Sequence, residues 1–275
     1  MSSDEMALDS DETSIPGLNQ RQTGIVEMAR AQGFVNIEAL AGSLGVTPQT
    51  IRRDINRLCE SGVLARYHGG ASLAPNTRNT DYRARKLAMR EEKDRIGRLV
   101  ACHIPDGASL FINIGTTTEA VARALVHHRG LRVITNNLNL AILLRDCPDF
   151  EITVAGGRLR AHDLAVVGEA TIDFIDQFKV DFGVIGISGI DADGTLLDFD
   201  YREVRVAQAI VANARTVFLA TDLTKFGRRA MVKLGNVAIL DAMFIDGEPP
   251  SPYREMLRDS EVAVHFALDA DERVL

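Results

Sequence analysis

Residues 47–58 (TPQTIRRDINRL) form the stretch that most restricts how this chain can fold. Ile51, Ile55 and Leu58 are spaced by four and three positions, which places them on one side of an α-helix. Thr47 is suited to cap that helix, and the proline after it costs no hydrogen bond at the first helical position. The stretch therefore predicts a short helix with one buried face and one polar face.

The polar face of this helix combines amide, hydroxyl and guanidinium groups. At about 100° per residue, these groups point away from the apolar stripe. They match the base edges of the DNA major groove and the phosphates beside it, although a solvated charged face has a similar composition. The face consists of Gln49, Thr50, Arg52, Arg53, Asn56 and Arg57.

The flanking segments decide between these two interpretations. A first helix is predicted within 34–44, capped by Asn36, and a glycine stands in the turn before the second helix. Downstream, 63–67 and 71–73 are typical of two strands joined by a glycine-rich turn. The order helix, turn, helix and hairpin predicts a winged helix–turn–helix, with the helix–turn–helix at about 35–54.

Two short blocks resemble a known family: TIRRDI at 50–55 and RYHGGA at 66–71 are similar to the DNA-binding signature of the DeoR family of bacterial repressors. The resemblance covers nearly all of residues 20–275. It implies double-stranded operator DNA as a partner. We expect bases to be read by Gln49, Arg53 and Asn56, phosphates to be contacted by Thr47, Thr50, Arg52 and Arg57, and the wing to contribute Arg66 and His68.

Charge is divided unevenly along the 275 residues, whose net charge is −7. Residues 21–90 carry 11 Lys or Arg against 5 Asp or Glu, whereas residues 91–275 carry 20 against 28. A basic head on an acidic body fits a protein in which only the head meets phosphate. The expected domains are a disordered tail at 1–19, a DNA-binding domain at 20–73, a linker or connector at 74–90, and an effector-binding and oligomerisation domain at 91–275.

Composition excludes several other classes of protein. No apolar run is long enough to span a bilayer, and the acidic N-terminus lacks a signal pattern, so we expect a cytoplasmic protein without a membrane partner. Three cysteines lie far apart in no metal-ligand spacing, which predicts free thiols and no metal. A calcium loop that would begin at Asp191 fails, because its twelfth position is Arg202. No cofactor is expected.

From residue 108 onward, short apolar runs alternate with helical segments. This pattern predicts a mostly parallel sheet with helices on both faces, hence an α/β second domain. The family resemblance implies that this domain resembles ribose-5-phosphate isomerase. The predicted strands are 109–114, 132–135, 151–155, 182–187, 216–220, 242–245 and 261–266.

Ligands of open α/β sheets bind beyond the carboxyl ends of the strands. The loop containing Gly115, Thr116, Thr117 and Thr118, before a helix expected from residue 119, can cradle a phosphate with backbone N–H groups and hydroxyls. Other loops at these ends are 136–137, 156–158, 186–191 and 222–227. From them we expect Asn136 and Lys225 to contact a small anionic effector.

Glu203 is open to two interpretations, a hydrogen bond to a ligand hydroxyl or a structural ion pair with a nearby arginine. The resemblance implies a phosphorylated effector, with glycerol 3-phosphate favoured and another sugar phosphate as the alternative. The isomerases carry a lysine and a glycine run where this chain has LLDFDY at 196–201, so we expect no enzyme activity. An isomerase-like enzyme with a DNA-binding head is the rival hypothesis.

Two expectations concern assembly and signalling. Useful affinity for a palindromic operator requires two heads, which predicts a homo-dimer or homo-tetramer held by the acidic domain. The connector at 82–102 is the expected path from effector to head.

Overall fold

The computed structural model describes residues 18–32, 34–61, 63–67, 70–73, 82–87 and 89–268. The chain divides into two compact units, 1–74 and 75–275. Most of the predicted tail, the linker segment 74–81 and His68 lie outside the described residues.

The first unit is a winged helix–turn–helix. A three-stranded antiparallel sheet in the order β1-β3-β2 accompanies its helices. The elements are α1 (Gln20–Gln32), β1 (Phe34–Asn36), α2 (Ile37–Ser43), α3 (Pro48–Glu60), β2 (Leu64–Tyr67) and β3 (Gly70–Leu73).

Strand β1 was not predicted, because its three residues look like the start of α2. Asn36 ends the strand, and its Oδ1 atom accepts a hydrogen bond from the Glu38 N–H at 2.8 Å, which starts the helix. The predicted stripe on α3 is confirmed: Ile51, Ile55 and Leu58 are at most 1% exposed. Burial of this face fixes which side of α3 meets solvent.

The second unit begins with two helices and continues as repeated strand–helix units. Its helices are α4 (Tyr82–Leu87), α5 (Arg90–Ala101), α6 (Thr116–Leu125), α7 (Leu138–Leu144), α8 (Glu169–Ile175), α9 (Tyr201–Ala212) and α10 (Ser251–Asp259). Its strands are β4 (Ser109–Ile112), β5 (Arg132–Thr135), β6 (Glu151–Val154), β7 (Arg158–Arg160), β8 (Ala165–Val167), β9 (Val180–Ile185), β10 (Gly189–Ile190), β11 (Thr195–Asp198), β12 (Ala214–Ala220), β13 (Val232–Asn236), β14 (Ala242–Ile245) and β15 (Ala263–Phe266).

The main sheet has the order β15-β14-β12-β9-β4-β5-β6, and each neighbouring pair is parallel. Leu110 and Ile112 pack with α5, α6 and α7 on one face, while Phe111 packs with α8, α9 and α10 on the other. The result is a three-layer α/β/α unit, which confirms the predicted α/β class.

Strand order reverses at β4 and β9. From β4 the chain proceeds outward through β5 and β6, whereas β9 leads through β12 and β14 to the other edge. Such a switch point opens a crevice at the carboxyl ends of the two central strands. The side chain of Asn113 bridges that crevice, because its Oδ1 atom accepts a hydrogen bond from the Gly186 N–H at 3.0 Å.

Helix α5 lies unusually close to α6. A Cβ atom added at Gly97 would meet the Ala120 carbonyl oxygen at 2.5 Å, so only glycine permits this approach. The connector predicted at 82–102 contains α4 and α5, which are separated at Met89, whose φ is 53°. The short pairings β7–β8 and β10–β11–β13 were also not predicted.

Candidate functional site

The exposed face of α3 presents the predicted DNA-contacting side chains. Gln49, Arg53 and Asn56 are exposed, as are Arg52 and Arg57. The Thr47 hydroxyl is engaged in the helix start, since it accepts a hydrogen bond from the Thr50 N–H at 3.3 Å. Five polar side chains on one helical face leave this surface able to contact bases and phosphates together.

Three side-chain hydrogen bonds stabilise this surface. The buried carboxylate of Asp54 accepts hydrogen bonds from Arg21 Nε at 2.6 Å and Gln22 Nε2 at 3.1 Å, which ties α3 to α1. The Arg66 guanidinium of β2 donates to Asn56 Oδ1. Arg66 and Asn56, predicted as separate DNA contacts, are therefore a pair.

A pocket opens at the switch point of the second unit. Because the sequence predicts a small anionic effector at these strand ends, we call it the effector pocket. It is lined by Tyr82, Arg85, Asn113, Ile114, Gly115, Thr116, Thr117, Glu119, Asn137, Asp163, Gly186, Ile187, Ser188, Asp198, Glu203, Val204, Ala207, Lys225 and Leu234.

The first wall of the pocket is the start of α6. The helix begins at Thr116, three residues earlier than predicted, so the threonines form its first turn. Gly115 precedes it with a φ of 151°, a conformation that glycine adopts readily. Gly115, Thr116 and Thr117 line the pocket, with the helix N-terminus between them, and their contact with an effector stays a prediction.

Two predicted effector contacts are corrected. Thr118 is fully buried, and its hydroxyl donates to the carbonyl oxygens of Asn113 and Gly115, both at 2.9 Å, so it shapes the loop. Asn136 donates through Nδ2 to the Val166 carbonyl oxygen at 2.9 Å and does not line the pocket. Its neighbour Asn137 lines the pocket instead.

Cationic side chains gather on another side of the pocket. Lys225 Nζ lies 3.6 Å from Asp222 Oδ2, and its side chain is 14% exposed. Burial lowers the pKa of Lys225, and the nearby charges of Arg228 and Arg85 lower it further, against the opposing effect of Asp222. Crowded, desolvated cations are stabilised by an added anion, so this side of the pocket favours an anionic group.

Carboxylates occupy a further side. Glu203 forms an ion pair with Arg160, whose guanidinium also binds Asp163 at 2.5 Å and Asp200 at 2.9 Å. Burial and the charge of Asp198 raise the pKa of Glu203 to about 7, although Arg160 opposes the shift. The structural ion pair of Glu203 with an arginine is therefore present. Glu203 also lines the pocket, and its hydrogen bond to a ligand hydroxyl stays a prediction.

Comparison with known proteins identifies the family. Residues 21–77 match the DeoR-like helix-turn-helix domain, and residues 88–247 match the DeoR C-terminal sensor domain. The chain belongs to the DeoR family.

Two curated relatives cover most of this DeoR-family chain. It is 51% identical over 247 residues to the glycerol-3-phosphate regulon repressor of Escherichia coli K12, covering 90% of this chain and 98% of the relative. It is 41% identical over 246 residues to the HTH-type transcriptional repressor CsqR of the same strain, covering 90% and 94%. These names indicate a regulator rather than an enzyme.

Solved structures give more distant likenesses. The ribose 5-phosphate isomerase of Methanocaldococcus jannaschii aligns with a TM-score of 0.38 and 12% identity over 52% of this chain and 56% of the isomerase. The eIF2B beta subunit of Chaetomium thermophilum aligns with a TM-score of 0.48 and 13% identity over 88% of this chain and 85% of that subunit.

Sequence reasoning missed several pocket residues of this DeoR-family protein. Tyr82 and Arg85 come from α4, far along the chain from the strand-end loops on which the prediction rests. Asp163 follows β7, which was not predicted. Glu119 was placed only as the start of a helix. Among the described residues, no cluster of three or more His, Cys, Asp or Glu is arranged to hold a metal, and no helix is long and apolar enough to cross a bilayer.

Proposed function

We propose that this protein is a DNA-binding transcriptional repressor of a glycerol-3-phosphate regulon, released from its operator by a small phosphorylated effector. The single observation that carries the proposal is the effector pocket, where a helix N-terminus and buried cations stand beside carboxylates. A relative that is 51% identical to this chain is named the glycerol-3-phosphate regulon repressor. Glycerol 3-phosphate is the favoured effector and another sugar phosphate is the alternative.

The pocket fits the two ends of such a molecule. The phosphate binds the backbone N–H groups after Gly115, the hydroxyls of Thr116 and Thr117, and the ammonium of Lys225. The glycerol hydroxyls face the carboxylate side, where Glu203 lies. The effector therefore satisfies cations and carboxylates at once, which neither glycerol nor inorganic phosphate does alone.

The head binds double-stranded operator DNA through α3 in the major groove. Gln49 and Arg53 read base edges, while Thr50, Arg52 and Arg57 contact phosphates. Arg66 of the wing and its partner Asn56 contact DNA as a pair. Because operator DNA is its partner, we place the protein's action in the cytoplasm.

A repressor of this kind acts as a homo-dimer or homo-tetramer, because a palindromic operator needs two heads. The second unit holds the copies together. Effector binding must differ in free energy between the DNA-free and DNA-bound forms, typically by about 1–3 kcal/mol, to release the operator.

Calorimetric titration of the full chain tests the effector. We expect saturable binding of glycerol 3-phosphate, and no binding of glycerol or fructose 6-phosphate under the same conditions. Thr117→Ala should weaken binding, whereas Thr216→Ala, on β12 and outside the pocket lining, should not. Tighter binding of fructose 6-phosphate would support a sugar-phosphate sensor but would reject glycerol 3-phosphate as its effector.

Turnover assays address the rival hypothesis. We expect no conversion of pentose, hexosamine or triose phosphates by the full chain. Appreciable turnover that is lost in Lys225→Ala or Glu203→Ala would show an enzyme with a DNA-binding head.

A further inference from the structure

Glu119 has a buried carboxylate at the effector pocket. This carboxylate is not among the groups proposed above to contact the phosphate or the glycerol hydroxyls. It lies in the first turns of α6, is fully buried and lines the pocket. Its Oε1 atom accepts hydrogen bonds from the Tyr82 hydroxyl at 2.7 Å and from Asn137 Nδ2 at 3.3 Å. Its Oε2 atom accepts no hydrogen bond from the described residues.

An acceptor oxygen buried without a hydrogen bond is costly, and more so when it belongs to a carboxylate. The Lys86 ammonium, 3.8 Å from Oε2, offsets part of this cost through charge, but its side chain is 52% exposed. A neutral hydroxyl donor inside the pocket would satisfy Oε2 directly. Glycerol 3-phosphate carries two such donors, and inorganic phosphate offers no alcohol hydroxyl.

Two of the groups at Glu119 come from α4. Tyr82 and Lys86 both belong to this helix, so the Glu119 carboxylate connects α4 to α6 through a hydrogen bond and an ion pair. Lys93 of α5 donates to the Arg85 carbonyl oxygen at 2.5 Å, so α4 is also hydrogen-bonded to α5. Helix α4 is also the first described element after the segment that follows the DNA-binding unit.

We infer that Glu119 binds a hydroxyl of the effector and that the Tyr82–Glu119 hydrogen bond transmits effector binding to α4. This inference rests on the proposed function. A hydroxyl that donates to Oε2 takes up a lone pair on the side facing Lys86 and fixes the orientation of a carboxylate that also accepts from Tyr82. Effector binding therefore alters the contacts that Glu119 makes with Tyr82 and Lys86 of α4.

Two conservative variants of the full chain separate these roles. Glu119→Gln keeps the shape of the side chain and removes its charge. Tyr82→Phe keeps the ring and removes only the donor. Tyr201→Phe is the matched control, because Tyr201 is 63% exposed and does not line the pocket. Circular dichroism melts confirm that each variant folds.

Calorimetry measures binding of glycerol 3-phosphate and, separately, of inorganic phosphate. Glu119→Gln should weaken glycerol 3-phosphate binding about tenfold, the scale of one hydrogen bond to a charged group, and leave inorganic phosphate within twofold. Equal weakening of both ligands, or no weakening of either, would overturn the hydroxyl role of Glu119.

Fluorescence anisotropy on an operator selected with the wild-type chain measures the ratio of operator Kd with and without glycerol 3-phosphate. When each variant is saturated with effector, as judged by calorimetry, Tyr82→Phe should reduce that ratio about tenfold, whereas Tyr201→Phe should keep it. A full wild-type ratio in Tyr82→Phe would overturn the transmission role alone. A wild-type chain that does not respond to glycerol 3-phosphate would instead reject the proposed function, and this inference with it.

Discussion

Lys225 offers the most informative perturbation of the effector pocket. Lys225→Met keeps most of the side-chain length and removes the charge proposed to bind phosphate. A hydrogen bond to a charged group contributes about 1.5–3 kcal/mol, so we expect effector Kd to rise about 10- to 150-fold.

The same change also affects folding, because Lys225 neutralises Asp222, whose side chain is only 1% exposed. Removing one partner of a buried ion pair costs about 3–5 kcal/mol. The Asp222 carboxylate keeps hydrogen bonds from the Thr224 N–H and hydroxyl, which reduces this cost. We therefore expect the single variant to lose about 2 kcal/mol of unfolding free energy.

The double variant Asp222→Asn/Lys225→Met separates folding from binding. It removes both charges, so denaturant unfolding should return to within about 1 kcal/mol of wild type. Calorimetry with glycerol 3-phosphate should still show the weakened Kd. A stable double variant that binds effector with wild-type affinity would refute the phosphate role of Lys225.

Three further predictions test the head and the other walls of the pocket. Arg53→Ala should weaken the binding free energy for the cognate operator by about 1–3 kcal/mol and should relax the base preference at one position in a binding-site selection. An equal loss of affinity for random DNA would show that Arg53 contacts a phosphate instead. Gly115→Ala should lower the melting temperature by about 5 °C, because the φ of Gly115 is 151° and the added Cβ would lie 3.1 Å from Thr118 Oγ1. Gly156→Ala is the control: its added Cβ meets no atom within 4 Å, so the melting temperature should not change. Burial and a neighbouring carboxylate raise the pKa of Glu203 to about 7, so its side chain becomes a charged acceptor for an effector hydroxyl as pH rises through 7. Glu203→Gln should match wild-type Kd at pH 6 and bind more weakly at pH 8, and tighter binding at pH 8 would contradict this assignment.

Local signals made the head predictable from sequence. The apolar stripe, the Asn36 and Thr47 caps and the glycine-rich hairpin all act within a few residues of one another, so periodicity and capping chemistry suffice. Strand β1 escaped prediction because its three residues pair with β3, which lies more than 30 positions away.

Long-range contacts limited prediction of the pocket. Strand-end loops are recognisable because they follow apolar runs, and they placed Gly115, Thr117 and Lys225 correctly at one end of the sheet. Which of two adjacent asparagines faces the pocket depends on the backbone direction after β5, and sequence alone favoured the wrong one. Tyr82 reaches the pocket only because α4 folds back beside α6, and no local pattern encodes that contact.

Capture of genomic DNA tests the central claim most directly. The purified full chain is mixed with sheared genomic DNA of its source organism, with and without glycerol 3-phosphate, and the retained fragments are sequenced. A repressor of this regulon should enrich a few palindromic sites near genes of glycerol-3-phosphate metabolism and lose them when the effector is added. Enrichment that is absent, or that persists unchanged with the effector, would contradict the account.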